Sequence, residues 1–174
     1  MGIPTEGVDR EEILSRLETF RKGDLDWRSG RVFGYVFDPG EEIMHVGKEA
    51  YTTFLTENGL DFTAFPSLLR LENELVGMLS DHLGGDREVV GNFTSGGTES
   101  IILAVKTARD FCREQRPEVR APEILLPETA HAAFHKAAHY LDVGVVQVPV
   151  DSDTFRADVP RVREAVTPNT ILLV

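Results

Sequence analysis

The sequence predicts an α/β fold in which a mostly parallel sheet is flanked by helices. Four short apolar segments, EVVGNFT, EILLP, VGVVQVPV and TILLV, alternate with segments of helical periodicity in the second half of the chain. Strands joined by helices of this length form βαβ crossovers, and such sheets are parallel and covered on both faces. The 41% content of hydrophobic residues is ordinary for a globular protein with its own core.

Residues 1–57 are predicted to form an N-terminal helical segment. A helix is expected over 9–23, because Asp9 can cap it and apolar residues recur on one face. A short extended piece is expected over 32–37, and a second helix over 41–56. The residues of this second helix expected to face inward are Ile43, Val46, Ala50 and Phe54.

Residues 58–174 are predicted to form the first part of a larger α/β domain. A strongly periodic helix begins at Ser67 and ends before the pair Gly84-Gly85. Beyond it the strand and helix patterns alternate. The strands are expected over 88–94, 123–127, 143–150 and 170–174, and the helices over 98–114, 131–142 and 158–166.

Composition and charge exclude several classes of function. Eighteen basic against twenty-nine acidic residues give a net charge of −11, which argues against binding to nucleic acid or to an anionic membrane surface. No apolar run approaches the roughly 20 residues of a membrane span, and the N-terminus lacks the pattern of a signal peptide. The single cysteine, Cys112, lies within a helical pattern and is expected to be a small core side chain. We therefore expect a cytoplasmic protein.

The chain stops at Val174, inside a predicted buried strand. An apolar strand of this kind needs neighbouring strands and an exit loop. The expectation is that the sequence represents the N-terminal part of a longer protein.

A turn of small residues, TSGGTES at 94–100, joins a predicted strand to a predicted helix. Such a junction collects unpaired N–H groups at a helix N-terminus, where the helix dipole adds roughly half a positive charge. Gly96 and Gly97 let a ligand approach the backbone, and Thr98 offers a hydroxyl. The turn is neither a Walker loop nor a G-x-G-x-x-G dinucleotide turn. A phosphate site and a well-capped helix that binds nothing both fit it.

These motifs resemble those of one enzyme family. The segment TSGGTESIILAVKTARD is similar to the cofactor-phosphate loop of pyridoxal-phosphate enzymes with the aspartate aminotransferase fold (fold type I), and most similar to the branch of sphingosine-phosphate lyases and group II amino-acid decarboxylases. HAAFHKAAHYLDV resembles the next landmark of that branch, and GLDFTAFPSLLRLENELVGML its approach segment. The resemblance implies that the chain is an incomplete large domain of this architecture, preceded by a helical segment.

The resemblance also implies a cofactor, pyridoxal 5′-phosphate, and residues to hold it. Gly97 and Thr98 would bind its phosphate, with Ser95 and Gly96 shaping the turn. His131 would stack on the pyridine ring and hold its orientation. Enzymes of this fold are usually dimers, so a homodimer is expected by analogy.

The lysine that such enzymes bond to the cofactor is not expected within this sequence. The chain has four lysines, and none lies in the later strand-end loop where the family places that residue. The aspartate that pairs with the pyridine nitrogen is likewise expected beyond TILLV. The segment by itself is therefore expected to bind the cofactor poorly and to catalyse nothing. The four lysines are Lys22, Lys48, Lys106 and Lys136.

Histidines at positions 131, 135 and 139 share a helical spacing that would permit a zinc site. No carboxylate or cysteine converges on them in the sequence, and the cofactor interpretation already uses His131. We expect no metal site. His45 and His82 are expected to face solvent or to pack locally.

Two positions depart from the lyase pattern, and both concern the substrate. The lyases usually have Asn-x-Leu-His in the approach loop, whereas this chain has Asn58, Leu60 and then Asp61; an earlier tyrosine is replaced by Phe37. The family's residues at these positions are associated with the phosphate of the substrate. A carboxylate in place of an imidazole would repel a phosphorylated substrate. Asn58 and Asp61 are the candidate substrate-binding residues.

The resemblance implies a lyase that cleaves a carbon–carbon bond of an amine substrate through an external aldimine. Loss of carbon dioxide, as in the amino-acid decarboxylases, fits the same residues. A degenerate or split chain that serves as a scaffold or partner subunit is a non-enzyme alternative, and a nucleotide-binding α/β protein is another. The partner expected is a small-molecule amine, not a nucleic acid.

Overall fold

The computed structural model describes residues 2–174, and within them the chain forms six α-helices, one short 3₁₀ helix and three β-strands. In chain order the elements are α1 (Arg10–Arg21), the 3₁₀ helix (Trp27–Ser29), α2 (Glu41–Thr53), α3 (Pro66–His82), α4 (Gly97–Gln115), β1 (Glu123–Pro127), α5 (Ala132–Leu141), β2 (Gly144–Val148), α6 (Val159–Ala165) and β3 (Thr170–Leu173). None of the helices within residues 2–174 has the length and apolar character needed to cross a lipid bilayer.

The chain divides into two compact units, the first ending at Leu60 and the second comprising Asp61–Val174. The boundary predicted between residues 57 and 58 stays a prediction. In the first unit, the Asp9 carboxylate caps α1 by accepting a hydrogen bond of 2.8 Å from the Glu11 amide.

Two predictions for the first unit are wrong. Residues 32–37 form no strand, because Tyr35 has a left-handed φ of 69° that interrupts the extended backbone. The side chains of α2 expected to face inward are exposed: Ile43 by 58% and Val46 by 59%. No side chain of α1 or α2 is buried, so this apolar face has no covering layer within residues 2–60.

The helix α3 begins with Pro66, whose missing N–H and fixed φ suit a first helical position. It ends at His82, and Gly84 then adopts a φ of 73°, which favours glycine. This confirms the expected stop at the glycine pair.

The strand predicted over 88–94 is absent from the described sheet, which is a further correction. A strand needs a neighbouring strand, and this segment instead lies along α3. The Phe93 amide donates to Glu72 Oε1 at 2.8 Å, and Gly91 lies against Val76. Phe93 stays 70% exposed.

The three strands form a parallel sheet in the order β2-β1-β3, as the alternating pattern predicts. The chain passes from β1 to β2 through α5 and returns through α6 to the other side of β1. Because such crossovers are right-handed, the reversal places α5 and α6 on opposite faces of the sheet. Helix α4 packs against α5 and also contacts β3.

The core of the second unit lies between α4, α5 and the sheet. Its buried cluster consists of Val105, Ile124, Leu126, Ala137, Ala138 and Val143. Cys112 is also buried, at 3% exposure, as expected for a small core side chain. Alanines on α5 allow α4 and the sheet to approach that helix closely.

The direction of α4 decides where its N-terminus lies. Its last turn leads into the start of β1, and the Arg116 guanidinium donates to the carbonyls of Pro168 (3.3 Å) and Thr170 (3.1 Å) at the amino end of β3. The C-terminus of α4 therefore lies at the amino edge of the sheet. Its N-terminus lies at the carboxyl edge, where ligands of parallel α/β sheets bind.

Candidate functional site

The glycine turn opens α4 and faces open space. Gly96 is the N-cap residue, with φ 164° and ψ 170°, an extended conformation that any residue adopts. A Cβ placed on Gly96 or Gly97 would meet no atom within 4 Å. The value of the two glycines is therefore the room that they leave above the backbone.

Three amide groups at this helix N-terminus are free to bind a ligand. Within residues 2–174, the N–H groups of Gly97, Thr98 and Glu99 have no hydrogen-bond partner, whereas the Ser100 N–H donates to the Gly96 carbonyl at 3.2 Å. The helix dipole places about half a positive charge at such an end. Free donors, positive potential and open space together suit an anion.

The Ser95 side chain and amide are both used inside the turn. The Glu99 carboxylate accepts from the Ser95 hydroxyl at 2.6 Å and from the Ser95 amide at 2.8 Å. These bonds, the hydroxyl's first, hold the pKa of Glu99 below its ordinary value. Ser95 therefore shapes the turn and has no donor left over in this arrangement.

Thr98 has the free hydroxyl of the turn. The Thr94 hydroxyl is 2.6 Å from that of Ser100, and the Ser95 hydroxyl bonds Glu99. Within the described part of the chain, the Thr98 hydroxyl has no partner. Among the hydroxyls of residues 94–100 it is the one available to a ligand.

His131 lies at the same edge of the sheet. It follows the carboxyl end of β1 and is the N-cap residue of α5, where its Nδ1 accepts a hydrogen bond of 3.1 Å from the Ala133 amide. The ring is exposed. Because α4 and α5 pack together and both begin at the carboxyl edge, the structure brings the glycine turn and His131 to one edge of the sheet.

The residues at this edge fit the phosphate and ring of the cofactor expected from the resemblance. The turn offers backbone donors, one hydroxyl and room for a phosphate group, and the exposed imidazole offers a flat surface for an aromatic ring. The positions given to Gly97, Thr98 and His131 stay predictions as ligand contacts.

His131 at the N-cap of α5 and the two histidines along that helix have different surroundings. His135 Nε2 is 3.4 Å from Gln147 Nε2, and the His139 ring lies beside that of Tyr140, 6.2 Å between centroids. Across residues 2–174, no three histidine, cysteine or acidic side chains are grouped as a metal would require. His45 and His82 are exposed.

The residues predicted to bind substrate have local hydrogen bonds. Asn58 Oδ1 accepts from the Leu60 amide at 3.1 Å. Asp61 Oδ1 accepts from the Thr63 hydroxyl at 2.6 Å and from its amide at 2.8 Å, which holds the pKa of Asp61 below its ordinary value. Asp61 is exposed and ionised at neutral pH. Phe37 is 87% exposed.

The four lysines lie on helix faces or at a helix end. Lys106 forms an ion pair with Asp110 at 2.7 Å, and the Lys136 ammonium lies 5.5 Å from the centre of the Tyr140 ring. Lys22 and Lys48 are exposed in the first unit.

Comparison with known proteins gives a consistent result. Over 173 residues the chain is 38% identical to the sphingosine-1-phosphate lyase of Drosophila melanogaster, covering 99% of this chain and 32% of the fly protein. The chain is a relative of the sphingosine-1-phosphate lyases. The lyase of Dictyostelium discoideum is 36% identical, and the match covers 98% of this chain and 32% of that protein. A probable L-aspartate decarboxylase of Pyrococcus furiosus is 33% identical, with 100% and 44% covered. No family profile matches the chain.

Solved structures agree with this relationship. The sphingosine-1-phosphate lyase of Burkholderia pseudomallei matches with a TM-score of 0.88 at 33% identity, over 99% of this chain and 41% of that one. The glutamate decarboxylase of Lactobacillus brevis shares the fold. It matches with a TM-score of 0.79 at 20% identity, over 99% of this chain and 40% of that one. The predicted resemblance and the fold type I architecture are confirmed. The chain spans about a third of the length of the curated lyases that it matches.

The structure adds one residue that the sequence analysis did not single out. Glu99 fixes the turn through both donors of Ser95, and its signal in the sequence is an acidic residue in the first turn of a helix. The two partners of the usual capping box are three positions apart, whereas Ser95 and Glu99 are four apart.

Proposed function

We propose that this chain forms the cofactor-phosphate part of a pyridoxal-phosphate-dependent lyase that cleaves a carbon–carbon bond of an amine substrate. The observation that carries the proposal is the set of free donors at the start of α4, which faces open space at the edge of the sheet where His131 lies. The relationship to the sphingosine-1-phosphate lyases supports the reaction class.

Each residue of the site has a separate task. The amides of Gly97 and Thr98, with the Thr98 hydroxyl, bind the phosphate. Glu99 holds Ser95 and thereby the shape of the turn. His131 covers one face of the pyridine ring and limits its rotation. The bound cofactor supplies an electron sink for the carbon that bears the amine.

The first alternative is an amino-acid decarboxylase. The similarity to the probable L-aspartate decarboxylase favours it, since that protein matches over the whole of this chain. The ionised carboxylate of Asp61 weighs against a phosphorylated substrate, because like charges repel, and it weighs equally against an acidic amino acid. If Asp61 lies near the substrate, a cationic amine is the better match.

Parts of the proposal concern the whole protein. The lysine that bonds the cofactor is none of the four lysines of this chain and belongs to another segment of the protein. The proposed protein is a homodimer, by analogy with other enzymes of this fold. Its proposed location is the cytoplasm, which its composition favours.

The test is reconstitution of the full-length protein with pyridoxal phosphate, followed by assays on a phosphorylated long-chain amine and on acidic amino acids. Aldehyde release from the first substrate supports the lyase, and carbon dioxide release from the second supports the decarboxylase. A protein that acquires no visible absorption from the cofactor, and retains none after desalting, contradicts both and favours the scaffold role. Retention of a nucleotide instead favours a nucleotide-binding protein.

A further inference from the structure

A second feature lies at the amino edge of the sheet, opposite the glycine turn. A depression of about 390 Å³ opens where α4 ends and where the chain enters β1. Three arginines line it, Arg109, Arg113 and Arg120, together with an apolar wall of Pro117, Val119 and Pro122. Neither the cofactor site nor the proposed reaction uses these residues.

Arg109 forms the fixed floor of this arginine depression. Its side chain is only 14% exposed, its Nη1 donates to the Leu141 carbonyl at 3.3 Å, and its Nη2 is 2.8 Å from Asp110 Oδ1. The same carboxylate accepts a hydrogen bond from Lys106 Nζ at 2.7 Å. Hydrogen bonds from Lys106 and then Arg109 hold the pKa of Asp110 below its ordinary value. Asp110 is therefore already occupied by two cations.

The other two arginines are poorly neutralised. Arg113 approaches Asp110 only to 3.9 Å, with 60% of its side chain exposed. Arg120 is exposed and has no partner within residues 2–174. Asp142 is the one acidic residue of the described lining, against the guanidinium groups of Arg113 and Arg120 and that of Arg109, which Asp110 already pairs. On a chain of net charge −11, this is a local concentration of positive charge.

We propose that the arginine depression binds a phosphate group, either free or as the head of a phosphate monoester. Planar guanidinium groups present paired N–H donors that match phosphate oxygens. Arginines also stabilise the carbonyl end of a helix such as α4, but that role requires neither a concave surface nor the unpaired Arg120 beyond the helix. The apolar wall would accommodate a short organic tail.

The test is isothermal titration of the full-length protein with inorganic phosphate at low ionic strength. We expect saturable binding that the substitution Arg120→Gln weakens about tenfold, since charge-assisted hydrogen bonds to phosphate are lost. The matched control is Arg163→Gln, which removes the same charge from an exposed position on α6 and should change the affinity less than about twofold. Arg120→Gln does not affect phosphate binding elsewhere, including at the glycine turn. The difference in phosphate affinity between the Arg120→Gln and Arg163→Gln proteins is therefore expected even if the proposed function is wrong.

A second titration uses butyl phosphate. Tighter binding than that of inorganic phosphate would assign the site to monoesters, and equal binding would assign it to free phosphate; both support the proposal. Absence of saturable binding, or equal affinities in the Arg120→Gln, Arg163→Gln and unmodified proteins, would overturn it.

Discussion

The Thr98 hydroxyl differs from its neighbours because no described residue uses it. Replacing it by the isosteric valine should leave the helix intact and remove one bond to the cofactor phosphate. We expect Thr98→Val to weaken cofactor retention by about 1–3 kcal/mol. The measurement is the equilibrium between bound and free cofactor in the full-length protein, followed by absorption during dialysis.

Thr107→Val is the matched control for this substitution. The Thr107 hydroxyl donates to the Leu103 carbonyl within the same helix, at 2.9 Å, and lies well beyond the first turn. Equal loss of cofactor from both variants would show that Thr98 does not contact the phosphate.

Glu99 makes the shape of the turn sensitive to pH. Its pKa is lowered in the folded protein, so its contribution to the free energy of unfolding is complete above the ordinary pKa of a glutamate and is lost as pH falls through the lowered value. The stability difference between the parent protein and Glu99→Gln should therefore be constant near neutral pH and shrink in acid. Urea unfolding at a series of pH values measures it.

The control for Glu99 is Glu114→Gln, since the Glu114 side chain is exposed on the same helix and has no hydrogen bond among the described residues. The difference between the two profiles isolates the effect of the bonds between Glu99 and Ser95. A flat profile for Glu99→Gln would mean that the bonds to Ser95 contribute nothing measurable.

Asp61 is the residue with which the substrate hypothesis can be tested. We expect Asp61→His to improve binding of a phosphorylated amine, because an ionised carboxylate is replaced by a ring that can carry positive charge. Competition against the natural substrate measures the change. Asp61→Asn separates charge from local structure, since the amide oxygen can still accept from Thr63. No gain in either variant would place Asp61 away from the substrate.

At the scale of elements, Arg116 joins the end of α4 to the start of β3. The Arg116→Ala substitution removes donors to two backbone carbonyls, those of Pro168 and Thr170. We expect a loss of about 1.5–3 kcal/mol in the free energy of unfolding, as for hydrogen bonds that involve a charged group. Arg113→Ala, on the same helix but 60% exposed, should cost much less. Equal costs would rule out the link to β3.

The elements of the second unit could be predicted where apolar pattern and backbone partners agree. The segment EILLP forms β1 at the predicted residues, and α4 and α5 differ from their predicted limits by one residue at each end. The segment 88–94 has the same apolar character but lies along α3, because sequence pattern does not specify which strand a segment pairs with. The prediction that one face of α2 is buried is wrong for a related reason, since periodicity predicts an apolar face but not the surface that covers it.

The sequence predicts the residue types of the candidate site but not the hydrogen bonds among them. Two adjacent glycines between an apolar segment and a helix fit an anion site or a capped helix that binds nothing, and the structure leaves open space next to them. That Ser95 is engaged by Glu99 while Thr98 is free depends on side-chain directions, which spacing alone does not determine.

At the scale of the whole molecule, the proposed function needs a lysine for the cofactor in addition to the residues at the carboxyl edge of the sheet. Lys106 and Lys136 have partners on their own helices, Asp110 and Tyr140. We expect the 174-residue chain, expressed alone, to release neither aldehyde nor carbon dioxide from an amine substrate, whereas the full-length protein does so. Turnover by the isolated chain would mean that one of its own lysines serves the cofactor.

The cap on α5 also fixes the tautomer of His131. Since Nδ1 accepts the Ala133 amide proton, the neutral imidazole must hold its own hydrogen on Nε2. That outward nitrogen can give a hydrogen bond but cannot receive one. Any group that hydrogen-bonds to this nitrogen of the neutral ring, whether a carboxylate of a substrate or an oxygen of a cofactor, must therefore be an acceptor.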